Sequence, residues 1–487
     1  MARDSSAVVA RESSAVVARG PSAFASRIPP RVILLIGGAL FLLYAYPGLM
    51  TLDSVDQLTE ARAGFYTDAH PPAMAALWRL LDAIIAGPFL MLLIQGIAFL
   101  AGTYLVLARA MSPRKAAVAA GLVLLFPPIL TSMAFIWKDS LMAGMLVLGA
   151  GLVPSRCRIA RFSSLACFAL ATAVKYNAFA ATFPLIVLLF EWRPGAHRWL
   201  VRYAIAAAAW LAITFAAVGA NTLLVDQPMH LWHSTFALED IVGVITFEGP
   251  TSDDELRRDL ANTGLLVDHD IQQRARDIYA TRDLLTITLG DKKMWDMPTT
   301  GTVPAPESQR DAVAAAWWRM VSEHPGAYFR HRLSMFLDVT GVTYKSQGAV
   351  SPRIMKYPGF LTNLGLPATT HAYQDRWWRF HKWFWRVTPL FRQWLYIALA
   401  IALLPLCIRR NRDIAALCAS GLLIEASLFF LSPSPDYRYS HWTIVTACLG
   451  TIMLVSRRRS RWGGAARDIA DTPAASPRDA RAPRDRG

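Results

Sequence analysis

Long apolar runs separated by short polar turns fill the first half of the chain and return near its end. Ten are placed, at Arg31–Met50, Pro88–Ala108, Ala116–Leu130, Ser140–Leu152, Phe162–Val174, Phe179–Phe190, Tyr203–Ala220, Trp394–Ile408, Ile414–Leu431 and Thr443–Val455. A helix needs roughly 20 apolar residues to cross a bilayer. Several of these runs are shorter, so their ends are expected to extend into polar flanks. The pattern predicts an all-α polytopic membrane protein with about ten transmembrane helices, counted to within one. Between the seventh and eighth runs lie residues 221–392, with helical periodicity at Asp253–Leu260, Asp270–Leu285 and Ser308–Glu323. The chain therefore divides into an N-terminal tail (1–30), a seven-span module (31–220) with a first loop at 51–87, a mainly helical loop domain (221–392), three further spans (393–456) and a basic tail (457–487).

The turns alternate in character. Arg109, Arg114 and Lys115 fall on one side, with Arg156, Arg158, Arg161, Arg193, Arg198, Arg202, Arg409, Arg410, Arg412 and the run from Arg457. The positive-inside rule makes this side cytoplasmic and puts both termini there. The inner segments then carry 26 basic and 8 acidic residues, while the loop domain is balanced at 19 of each. The net charge of +15 is thus a topology signal, and nucleic acid is not expected as a partner. Composition agrees: only 17% of residues are charged, against about a quarter in soluble proteins. The first run lacks a small-residue cleavage site and reads as a retained span. Before it, Ala2–Val9 is repeated as Ala10–Val17, a low-complexity duplication expected to be disordered, as is the tail from Arg457. The five cysteines lie in spans or inner turns, so no disulfide framework or paired-Cys metal site is expected in the loop domain.

The other side carries different chemistry. The first loop, Thr51–Gly87, predicts a short amphipathic helix over Thr51–Gly64 with Leu52, Val55, Leu58 and Ala61 on one stripe. Pro71–Pro72 start a second interfacial helix with Leu77, Trp78 and Leu81. Asp53 and Asp56 share a face at the i, i+3 spacing. Later turns on the same side read IWKDS, with Lys138 and Asp139, then VKYNA, with Lys175 and Asn177, then SPSPDYRYSHW, with Asp436, Arg438, Tyr439 and His441. Alone, an Asp pair is an ordinary solvated face and a terminal Lys an ordinary snorkelling side chain. Four turns presenting ionisable groups at one depth predict a polar site at the membrane surface. Glu425 lies inside a span, either lining that site from below or meeting a neighbour such as Gln95. His230 and His233 lack a third metal ligand. Asp375–Arg392 interleaves Trp and Phe with Arg and Lys, as an interfacial helix leading into a span does.

The layout of seven spans, a long loop and a downstream EHPGAYFRHR segment resembles the GT-C superfamily of polytopic glycosyltransferases, as does an Asp between interfacial helices. The D-x-x-D-Q of Asp53–Gln57 and the D-x-HPP of Asp68–Pro72 are similar to the first loop of the protein O-mannosyltransferase and lipid A aminoarabinose transferase branch. The resemblance implies a sugar donor on a polyprenyl phosphate and a lipid, glycan or protein acceptor at the extracytoplasmic face of the cell membrane. Asp53 would be the general base, with Asp56 and His70 orienting it or the acceptor. Lys138, Lys175 and Arg438 would face the phosphate, and Gln57, Asp68, Asp139, Asn177, Asp436 and Tyr439 would complete the substrate contacts. The branch often has more spans or a soluble C-terminal domain, which this chain lacks. The first loop has no tight DxD, so a divalent metal is compatible but not indicated, and no other cofactor is expected. The competing expectation is a transporter or flippase of a lipid-linked glycan, although such proteins favour midplane polar groups and internal repeats, which are not visible.

Overall fold

The computed structural model describes residues 28–191, 199–288, 293–297, 303–344 and 359–470. The duplicated N-terminal segment and residues 471–487 lie outside the described residues. The first half comprises α1 (Pro30–Ala45), α2 (Leu52–Ala63), α3 (Pro72–Asp82), α4 (Phe89–Leu107), α5 (Pro113–Leu124), α6 (Pro127–Met133), α7 (Lys138–Leu152), α8 (Arg158–Val174), α9 (Ala178–Glu191) and α10 (Trp199–Leu224). There follow α11 (Leu238–Phe247), α12 (Asp253–Asp259), α13 (Ile271–Thr281), α14 (Glu307–Glu323), α15 (Pro325–Val339), α16 (Gly359–Asn363) and α17 (Ala372–Val387). The chain closes with α18 (Gln393–Cys407), α19 (Arg412–Leu431) and α20 (His441–Ala470).

Every apolar run lies on a helix. Four helices are long and apolar enough to cross a membrane, Phe89–Leu107, Leu200–Leu224, Arg412–Leu431 and Tyr437–Arg459, or five with one bent pair. The bent pair corrects the expectation of one continuous segment over Ala116–Leu130. α5 and α6 meet at 70°, because Pro127 and Pro128 supply no N–H to carry the α5 hydrogen-bond ladder forward. A second correction concerns the C-terminus: α20 runs to Ala470, past the Arg457 at which a disordered tail is expected.

α4 lies along α7, α7 along α8, and α9 and α18 along α19, which pairs with α20. The α4–α7 approach depends on small residues: a Cβ on Gly144 would sit 2.9 Å from the Gln95 carbonyl oxygen. The interior is apolar, but so is much of the outside. Leu35, Ile97, Phe162, Phe215, Leu223 and Phe430 are all more than 60% exposed, and only 11% of the apolar window of α10 is buried. A soluble protein rarely carries so large an apolar exterior, so this collar marks the bundle as a membrane protein.

The segment between α10 and α18 has its own core, built from Leu238, Ile241 and Val244 of α11, Ile271 and Ile278 of α13, and Val313 and Met320 of α14. Its predicted helices are present, although the one expected over Asp270–Leu285 stops at Thr281. α17 has the interleaved character expected of it, with Trp377, Phe380 and Trp383 exposed among Arg376 and Arg379.

Candidate active site

The turn carrying Asp53 is fastened to the turn carrying Lys138. Leu49 N–H donates to the Ala134 carbonyl at 3.0 Å, and Ile136 N–H donates back to the Leu49 carbonyl at 2.9 Å. The Ser54 hydroxyl donates to the Ile136 carbonyl at 2.8 Å, and the Trp137 indole N–H to Thr51 Oγ1 at 2.9 Å. The Pro127–Pro128 bend makes this possible, since the chain leaves α6 as an extended strap over residues 134–137. Asp53 in the first turn of α2 and Asp139 in the first turn of α7 are thereby brought to one place.

The third strand of the site comes from the turn between α19 and α20. The Tyr437 hydroxyl donates to the Pro128 carbonyl at 3.0 Å, pinning the turn onto the same bend. Arg438 then lies 2.7 Å from Asp53 Oδ2, 2.8 Å from Asp436 Oδ2 and 4.0 Å from Asp139 Oδ2. Its guanidinium sits 5.0 Å over the Trp137 ring and 5.6 Å over Tyr439, two aromatic faces that favour a cation. Lys175, at the end of α8, forms an ion pair with the buried Asp139 and lies 4.9 Å over the Tyr439 ring. Lys138 Nζ donates to His70 Nδ1 at 2.8 Å.

Electrostatics assigns states to the first-loop groups. Burial opposes ionisation of Asp53, but the Arg438 guanidinium, with Lys138 nearby, overrides it and holds the carboxyl well below the usual carboxylate range. Burial and the Lys138 ammonium push His70 down to about 3, so its ring is neutral and Nδ1 is free to accept. Asp56 is solvent-accessible, yet atoms crowded beneath it and the carboxylates of Asp53 and Glu60 push it up to about 6. Because its folded value is raised, Asp56 stabilises the fold when protonated, and that contribution is lost as pH rises through about 6.

Eight expected residues therefore meet in this cluster: Asp53, His70, Lys138, Asp139, Lys175, Asp436, Arg438 and Tyr439. Others are placed differently. Asp68 accepts from the Met229 N–H and anchors the first loop to the chain after α10. Asn177 donates to Ser427 Oγ at 3.3 Å, a contact between α9 and α19. Gln57 is buried and donates to the Asp53 carbonyl at 2.9 Å, supporting the base's backbone. Asp56 shares the α2 face with Asp53 and touches none of the cations. Glu425 accepts from Ser440 at 2.8 Å and Thr443 at 2.7 Å, while Gln95 donates instead to the Met133 and Phe135 carbonyls. The two contact readings of Glu425 therefore resolve to α20 and not to Gln95.

Trp137 and Glu60 are functional neighbours that the sequence reading missed. Glu60 accepts from Thr67 Oγ1 at 2.5 Å and closes the first loop; the signal for Trp137 was its place beside Lys138. His230 and His233 have ring centres 6.3 Å apart, and among the described residues no three His, Cys, Asp or Glu side chains form a metal site.

The Asp139–Lys175 pair is nearly dry, with side chains 2% and 13% exposed. Lys175→Met strands the carboxylate and is expected to cost about 3–5 kcal/mol of stability. The fall would appear as a lower thermal-unfolding midpoint in detergent, largely recovered by adding Asp139→Leu. An unchanged midpoint in the single variant contradicts a tightly buried pair. A comparison with protein families, curated proteins and solved structures finds no match for the chain.

Proposed function

We propose that the chain is a polytopic membrane glycosyltransferase that moves a sugar from a polyprenyl phosphate to an acceptor hydroxyl on the extracytoplasmic face. The observation that carries this reading is a carboxylate, Asp53, in contact with Arg438 and within one cluster with Lys138 and Lys175. Such a cluster combines a proton acceptor with a cationic seat for a phosphate. The helices run antiparallel, so the Arg-rich turns around Arg109, Arg161 and Arg412 lie at the opposite end from the site. With about ten crossings and both termini cytoplasmic, the positive-inside rule turns the site outward.

In the proposed step Asp53 takes the proton of the acceptor hydroxyl. The acceptor oxygen forms its bond to the anomeric carbon as the carbon–oxygen bond to phosphate breaks. The electron pair leaves on the polyprenyl phosphate, and a single displacement inverts the anomeric centre. Arg438, Lys138 and Lys175 offset the charge that develops there. In the empty site Arg438 masks Asp53. A donor phosphate competing for the guanidinium would return the carboxylate toward its ordinary basicity. Neutral His70 holds Lys138 toward the same space.

Because Asp53 is held ionised far below neutrality, it does not set the acid limb of the rate profile. Asp56 does, so kcat/KM is expected to fall below about pH 6, and the limb to move lower in Asp56→Asn. A pH profile of the variant that overlays the wild type removes Asp56 from the mechanism.

The bent α5–α6 pair favours a second reading, since broken helices are common in transporters of lipid-linked glycans. Mass analysis of envelope glycans in a deletion strain separates the two. Loss of one sugar with accumulation of its lipid carrier supports the transferase; accumulation of a complete lipid-linked glycan supports transport.

A further inference from the structure

The EHPGAYFRHR segment enters the proposed chemistry nowhere, yet its Arg332 joins the loop domain to the turn that carries Arg438. Arg332 lies on α15, which packs against α11, α19 and the turn Tyr437–Ser440. One guanidinium nitrogen is 2.6 Å from Asp240 Oδ1 on α11, and both side chains are at most 3% exposed. The other terminal nitrogen donates to the Ser432 carbonyl at 3.1 Å. Ser432 ends α19 and opens the turn that contains Asp436, Arg438 and Tyr439.

Asp240 is itself fixed from three directions. His331 Nε2 lies 3.1 Å from Oδ1, and the Trp317 indole N–H donates to Oδ2 at 2.8 Å. The Tyr279 hydroxyl meets His331 Nδ1 at 3.2 Å. These contacts tie Arg332 to the loop domain's own core.

From Ser432 the bonds continue through the turn. Its hydroxyl donates to the Ser434 carbonyl at 2.8 Å, which also accepts the Asp436 N–H at 2.9 Å. Asp436 Oδ1 accepts the Arg438 N–H at 3.3 Å. We propose that Arg332 is a positioning residue for the phosphate site, transmitting the loop domain's packing to Arg438 through the Ser432 carbonyl. The proposal rests on the lipid-phosphate reading above. A purely structural Arg332 would brace the loop domain without affecting how Arg438 meets a phosphate.

Equilibrium binding of tritiated decaprenyl phosphate to the full-length protein in detergent distinguishes these roles without requiring turnover. Wild type is expected to bind, and Arg438→Ala to bind about 100-fold more weakly. Arg332→Met is expected to weaken binding by about tenfold, the loss of one charge-assisted hydrogen bond. Placed on Arg438→Ala, the same change should add less than about twofold, because interacting residues are not additive. If Arg332→Met does not yield folded protein, Arg332→Gln combined with Asp240→Asn keeps the buried contact neutral. Gln is too short to span Asp240 and Ser432 together, so the same weakening is expected. Binding by either variant equal to wild type overturns the proposal, as does a full tenfold penalty on top of Arg438→Ala. Absence of binding by the wild-type protein overturns the lipid-phosphate reading itself, and the assignment of Arg332 with it.

Discussion

Asp53→Asn is expected to lower kcat for sugar transfer by about 10³-fold, within the range typical for loss of a general base. Asparagine fills the same space and can still accept a hydrogen bond from Arg438, so the turn between α19 and α20 should keep its place. The α2 helix does not depend on the charge, since Thr51, Ser54 and the Ile136 carbonyl hold its start. The loss should therefore fall on kcat, with the donor KM moving little and the unfolding midpoint nearly unchanged. The check is steady-state transfer from a purified polyprenyl-phosphate sugar in detergent. Activity within tenfold of wild type would sink the assignment of the base.

Arg438→Ala acts on the other partner and should read out differently. Three groups lose their cation at once: Asp53, Asp436 and the more distant Asp139. The donor phosphate loses its charge-assisted partner, and the freed carboxylates now repel it. An increase of about 100-fold in donor KM is expected, the size measured when one partner of a buried charge pair is truncated. Asp53 meanwhile returns toward ordinary basicity, so kcat at saturating donor should fall less than KM rises. Kinetics over a range of donor concentrations separates the two constants. A variant with unchanged KM would place the phosphate elsewhere.

Much of this architecture was legible because two signals do not depend on long-range contact. Apolar runs report where helices lie, and ionisable residues at their ends report which turns share a face. Asp53, Lys138, Lys175 and Arg438 could be grouped on those grounds before any distance was known. Periodicity was blind to the Pro127–Pro128 break, because both halves remain apolar and only the missing N–H groups mark it. It was equally blind to Asp68 and Asn177, whose partners, the Met229 N–H and the Ser427 hydroxyl, lie far away in the chain. A polar residue in the right turn can be spent on the backbone, and composition does not distinguish that from an open ligand site. The link from Arg332 to Ser432 spans 100 residues and exists only because α15 lies against α19. Glu425 illustrates the same limit: its cost inside a span was clear, but its partners, Ser440 and Thr443, come from the crossing of α19 and α20.

The pairing of charges at the site has a consequence for how a ligand arrives. Arg438, Lys138 and Lys175 stand beside Asp53, Asp139 and Asp436 within one small volume. Opposite charges this close leave little field beyond about a Debye length, roughly 10 Å at 0.1 M salt. Such a site does not draw soluble anions from bulk water, as an unpaired basic cleft would. Its cations become available only to a phosphate already alongside, delivered by sideways diffusion within the lipid sheet. Capture would then be limited by motion in two dimensions and be nearly indifferent to ionic strength, while soluble sugar phosphates, lacking that route, would compete poorly.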